Sequence, residues 1–173
     1  FNLFGPLGIK GGLLYLFGVG MGVAYNFYFK STLLSPLPYA LAFAALAASL
    51  VVATNRTPPI WLIASGALLG VAAHFANVLK DLDQDLTSGI AGLPQRLGKR
   101  RARVICAALL ILTTLILNAT VSNYLLLIIG LIAAVITSVA PDKVIFKSLV
   151  ITVIIDLILL LSAIDSKIGS LVV

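Results

Sequence analysis

The chain has 173 residues, of which 61% are hydrophobic and 10% charged, with a mean hydropathy of +1.15. It carries 12 Lys and Arg against 6 acids, all of them Asp, for a formal net charge of +6. A soluble domain is about 45–50% apolar and about 25% charged; a water-soluble globule of this size could not bury so much apolar surface, so a soluble enzyme, a disordered chain and a nucleic-acid-binding domain are excluded.

The composition is that of an integral membrane protein. Residues 1–10 contain Gly and Pro and are expected to be the ragged end of an earlier element. Six apolar runs follow: Gly11–Phe29, Leu33–Thr54, Pro59–Leu79, Val104–Thr120, Asn123–Ala140 and Ser148–Ile164. At about 1.5 Å per residue, a helix needs about 20 residues to cross a hydrocarbon core of about 30 Å. The runs do not alternate polar and apolar residues, which excludes a transmembrane β-barrel. All six are expected to be helices, because open backbone in lipid leaves its polar groups unsatisfied. The expected fold is a single all-α, polytopic transmembrane helical bundle over residues 1–173.

Lys30, Lys80, Arg96, Lys99, Arg100, Arg101, Arg103, Lys143 and Lys147 fall on one side of the six spans, and Lys10, Arg56 and Lys167 on the other. Basic residues in short loops favour the cytoplasm, so the side with nine is expected to be cytoplasmic. The lone Cys106 lies in an apolar run and is expected to be a buried thiol. Trp61 and Tyr39, near span ends, fit interfacial anchoring. Asp156 falls inside the last span and costs about 2.5–3.5 kcal/mol there unless it faces the bundle interior.

One loop, residues 80–103, stands apart. It directly follows the third span and opens Lys80-Asp81-Leu82-Asp83-Gln84-Asp85, so three of the six acids fall within five residues. On a helix Asp81 and Asp85 share a face, with Asn77 and His74 on the same stripe one and two turns earlier. Asp83 points away from both. Two carboxylates held near each other repel unless a cation lies between them. A hard divalent ion such as Mg²⁺ takes oxygen ligands and often links carboxylates to phosphate. Lys80, Arg96 and the Lys99–Arg103 cluster could hold an anion nearby. The plainer alternative for these acids is a solvated stretch neutralised by its basic neighbours, and for His74 an interhelical hydrogen bond.

This loop resembles the second aspartate-rich motif of the UbiA superfamily of intramembrane prenyltransferases. The resemblance lies in Asp81-Leu-Asp-Gln-Asp85, followed by Gly89-Ile90-Ala91-Gly92-Leu93-Pro94-Gln95-Arg96-Leu97-Gly98, with Asn77 shortly before. Upstream, Tyr25-Asn26-Phe27-Tyr28-Phe29-Lys30 is similar to the family's Tyr/Lys element. The usual spacing there is YxxxK, and this chain has one residue more. The family's first aspartate-rich motif has no counterpart here. Six spans in this order correspond to about helices four to nine of the usual nine, so a partial UbiA-type fold is expected. The start at Phe1 fits a fragment of the enzyme.

The resemblance implies Mg²⁺-dependent transfer of a prenyl group from an isoprenoid diphosphate to an acceptor, commonly aromatic, within the membrane. It implies Asp81 and Asp85 as metal ligands and catalytic residues. Lys30, Lys80 and Arg96 are then candidate diphosphate partners, and Asn77, His74 and Tyr25 candidates for orienting the site or lining the cavity. The implied partners are the diphosphate, a lipophilic acceptor, membrane lipid, and the missing helices or a subunit supplying them. The alternatives are a non-catalytic or degenerate membrane subunit and an ion- or proton-coupled transporter.

Overall fold

The computed structural model describes residues 4–121 and 124–139, together with 144, 147, 150, 151, 154, 155 and 158. Those residues form helices and turns, with no strand among them. In chain order the helices are α1 (Phe4–Ala24), α2 (Leu37–Val52), α3 (Ile60–Thr87), α4 (Leu93–Leu97), α5 (Lys99–Val121) and α6 (Tyr124–Val139). Phe4–Phe29, Ile60–Thr87 and Lys99–Thr120 are each long and apolar enough to cross a membrane, and Leu37–Val52 is a shorter apolar helix. The fold is the expected all-α bundle of apolar helices.

Several boundaries differ from the sequence expectation, each for a local reason. Helical structure begins at Phe4, not Gly11, but the path breaks at Gly8, whose φ of 64° and ψ of 176° only glycine adopts readily. The second helix starts at Leu37, not Leu33. Pro36 and Pro38 lack the N–H that an interior helix position must donate, so they sit at the helix start while residues 31–36 run as turns. The third helix does not stop at Leu79 but runs eight residues further, to Thr87. Its 28 residues span about 42 Å, about 12 Å more than a hydrocarbon core needs. The aspartates therefore stand on a rigid extension of the span, not on a loose loop. The sixth expected span and Asp156 lie mostly or wholly outside the described residues.

The helices pack in sequence, α1 on α2, α2 on α3, α3 on α5 and α5 on α6, with the short α4 against α3 and α5. In lipid there is little hydrophobic drive between helices, so close backbone approach at small residues carries the packing. Gly66 and Gly70, one turn apart on α3, meet the α2 backbone. A Cβ at Gly66 would come within 2.9 Å of the Phe43 carbonyl, and one at Gly70 would collide with the Tyr39 carbonyl. Gly18 on α1 likewise meets the Ala42 carbonyl of α2. The α3–α5 seam is a buried cluster that includes Leu69, Phe75, Leu79, Leu82 and Leu110. Cys106 is buried there, its thiol donating to the Ala72 carbonyl at 3.4 Å. Tight α2–α3 packing fixes Tyr39 of α2 beside the polar end of α3.

Candidate functional site

The polar end of α3 opens into a cavity of about 270 Å³ between α1, α2 and α3. Its lining includes Asn77, Asp81 and Asp85 of α3, one helical turn apart in succession. Facing them are Tyr25, Asn26 and Lys30 from the turn that follows α1, and Tyr39 from α2. Tyr39 and Asn77 line the same cavity from neighbouring helices. The cavity thus brings together two carboxylates, one ammonium group, two phenols and two amides.

Lys30 reaches this cavity because of the backbone just before it. After Ala24 the helix widens into a π-helical turn over Tyr25–Phe29, closed by the Lys30 N–H donating to the Tyr25 carbonyl at 2.9 Å. In an α-helix residues five apart lie about 140° apart around the axis, and residues four apart about 40°. The i→i+5 turn absorbs one extra residue and carries Lys30 back over Tyr25. The additional residue between Tyr25 and Lys30 is therefore accommodated, and both side chains line one wall.

His74 behaves differently from the rest of its stripe. It is fully buried, with Nε2 3.1 Å from the Ser35 hydroxyl. Its ring lies against Tyr39 and Tyr25, with centroids 4.8 Å and 5.5 Å away. The three rings, with Tyr25 also edge-on to Tyr39 at 5.1 Å, form an aromatic floor, and His74 does not line the cavity. Ser35 also accepts a hydrogen bond from the Leu93 N–H at 3.0 Å. One buried hydroxyl thus ties the α1–α2 connection to α3 and to the first residue of α4.

Lys80 and Arg96 lie outside the cavity lining. Lys80 pairs with Asp81 at 3.2 Å, both side chains more than two-fifths exposed, so the pair is weak in water. Arg96 is exposed and donates from Nε to the Ala91 carbonyl at 2.7 Å, which braces its own loop. Asp83 is exposed and turned away from the cavity. Lys80 is offset from Asp81 by the about 100° that separates adjacent residues on a helix, and the Arg96 guanidinium is spent on the local backbone of its own loop.

Four residues escaped the sequence reading: Tyr39, Asn26, Ser35 and Gln95. Gln95 is 6% exposed and donates from Nε2 to Asp85 Oδ2 at 2.9 Å. The glycine before α4 makes this possible. A Cβ on Gly92 would lie 2.7 Å from the Lys30 carbonyl, 2.8 Å from Ser35 Oγ and 2.9 Å from Gln95 Oε1. Tyr39 resembled an interfacial aromatic, and no periodicity marks Ser35 or Gln95, whose partners lie 39 and 10 residues away. A polar Gln inside the Gly/Leu-Pro tail was the one available signal.

The donor set suits a hard cation. Carboxylate, amide and phenol oxygens converge, with no thiol or imidazole on the wall. Among the described residues no group of three or more His, Cys, Asp or Glu could enclose a metal. Asp81 and Asp85 could therefore hold Mg²⁺ in its usual manner, through one or two carboxylates with phosphate oxygens and water completing the shell.

Residues 4–147 match the family model described as the UbiA prenyltransferase family. No curated protein and no solved structure matches the chain.

Proposed function

The chain belongs to the UbiA prenyltransferase family, and from that premise we propose that the α1–α3 cavity receives the diphosphate end of an isoprenoid diphosphate, with Mg²⁺, for prenyl transfer to a lipophilic aromatic acceptor in the membrane. The observation that carries this reading is the convergence of Asp81, Asp85, Asn77, Tyr25 and Lys30 on one cavity at the end of a membrane-length helix. The basic residues near this end favour a cytoplasmic mouth.

In the reaction the allylic C–O bond breaks and its electron pair leaves with the diphosphate. The allylic carbon bonds to an acceptor carbon, which then loses its proton. Bound Mg²⁺ supplies charge neutralisation to the departing diphosphate. Asp81 and Asp85 are the residues that would hold it. Lys30, on the opposite wall, places a fixed positive charge where the leaving group gains negative charge. Asn77 and the phenols of Tyr25 and Tyr39 offer neutral donors to diphosphate oxygens. The apolar faces around the cavity leave the prenyl tail in a lipid-like medium, while the charged head stays at the wet end of α3.

Asp81→Asn and Asp85→Asn are each expected to lose Mg²⁺-dependent prenyl transfer, followed as diphosphate release from a prenyl diphosphate in proteoliposomes. Turnover retained in both variants would sink the proposal. A second reading is a membrane subunit that binds the diphosphate without turning it over alone. It draws on the single pair of acids in the cavity lining. Mg²⁺-dependent diphosphate binding without turnover, with activity restored by a partner carrying a further acidic motif, is its signature.

A further inference from the structure

Asp81 and Asp85 share the cavity but are held in different ways. Asp81 meets the solvated Lys80 ammonium, a partner of opposite charge in water. Asp85 sits where α3 ends, its backbone carbonyl accepting from the N–H groups of Ser88 and Ile90 at 3.1 Å and 2.9 Å. Its Oδ2 accepts from the buried Gln95 amide at 2.9 Å. The amide must turn its NH₂ toward Asp85, because an ionised carboxylate only accepts. Its Oε1 then faces the space that Gly92 leaves open. Gln95 is itself fixed: α4 is anchored at its first residue by the Leu93–Ser35 hydrogen bond and packs on α3 and α5.

A neutral donor at this position has a particular consequence. A Lys or Arg would hold the carboxylate but also cancel its charge. An amide holds one oxygen and leaves the full negative charge, with Oδ1 and the remaining lone pairs, for a ligand in the cavity.

We propose that Gln95 is a positioning residue: its buried amide fixes the rotamer of Asp85 without neutralising it, and so sets the affinity of the cavity for a divalent cation paired with diphosphate. This rests on the proposed function above, and it assigns to the Gly/Leu-Pro segment a role in tuning the site, beyond closing a loop.

The test uses the full chain in lipid nanodiscs, with Mn²⁺ as a spectroscopic probe and inorganic diphosphate as its partner. Free Mn²⁺ is read by electron paramagnetic resonance, so no turnover is needed. Gln95→Leu removes the donor at similar volume; Gln95→Asn keeps an amide but falls one methylene short of Asp85. Both are expected to weaken Mn²⁺ binding about 10–100-fold, the usual cost of losing a residue that orients a metal ligand. Gln84→Ala, on the exposed face beside Asp85, is expected to bind as the parent does, and Asp85→Asn not to bind. Thermal unfolding of each variant confirms a folded sample. If Asp85→Asn abolishes binding while both Gln95 variants keep parental affinity, the positioning role is overturned and the proposed function stands. If Asp85→Asn itself binds as the parent does, the metal role of Asp85 falls and the role of Gln95 with it.

Discussion

Deleting Phe27 tests whether the π-helical turn exists to bring Lys30 into the cavity. Phe27 is 77% exposed, so its loss removes little buried apolar surface. The deletion leaves Tyr25 and Lys30 four residues apart, a spacing that an ordinary α-helix satisfies with an offset of about 40°. The turn can then revert to α-helix while α1 above it and the connection below it keep their places. Removing Val19, half-exposed and in the regular part of α1, has no widened turn to absorb it. That deletion rotates one flank by about 100° and moves either the α1–α2 contacts or the cavity wall out of phase. Lys30→Ala sets the scale: loss of one fixed charge-stabilising group typically costs about 10²–10³-fold in turnover. Prenyl transfer in proteoliposomes, followed as diphosphate release, should fall on that scale for Lys30→Ala and for the Val19 deletion. The Phe27 deletion should stay close to the parent. A Phe27 deletion as impaired as Lys30→Ala, in a sample that still folds, would refute the idea that the π-turn serves only to restore phase.

Gly92→Ala places a methyl group under 3.0 Å from three polar atoms, one of them a backbone carbonyl. Overpacking of this kind costs about 1–3 kcal/mol, and weakened Mn²⁺–diphosphate binding with a lower melting temperature is expected. Ser35→Ala leaves the partly buried Leu93 N–H and the buried His74 ring without their shared partner. At about 1–3 kcal/mol per stranded group, it should lower the melting temperature in detergent more than removal of the exposed Thr32 hydroxyl, which serves only its own turn. Gly70→Leu should prevent α2 from closing on α3 and shift the protein to aggregates in size-exclusion chromatography. Gly20→Ala, with nothing near its added Cβ, should elute as the parent does.

The residues legible in the sequence were those whose signal is local. Long apolar runs must be helices in lipid, because no water is present to satisfy the backbone. The four-residue spacing of Asn77, Asp81 and Asp85 must put them on one face of any helix that continues past Leu79. The Gly and Leu-Pro pattern of residues 89–98 carried the family resemblance, which the match over residues 4–147 bears out.

What periodicity could not decide was which other groups share that face's surroundings. His74 lies on the same helical stripe as Asp81 yet is sealed behind Tyr25 and Tyr39, because α2 comes close enough at Gly70 to cover it. Lys30 is out of phase with Tyr25 in sequence and in phase in space, because a backbone turn widened to i→i+5. Lys80 and Arg96 carry suitable charge but lie outside the cavity lining, spent on a solvated neighbour and on a loop carbonyl. Ser35 and Gln95 have no periodic mark at all. They matter because the chain doubles back, placing a hydroxyl 58 residues from Leu93 and an amide ten residues from Asp85 within hydrogen-bond distance. A helix's own faces follow from 3.6 residues per turn, which the sequence alone determines. The contents of the space between helices depend on how closely their backbones approach, and only the packed tertiary structure decides that.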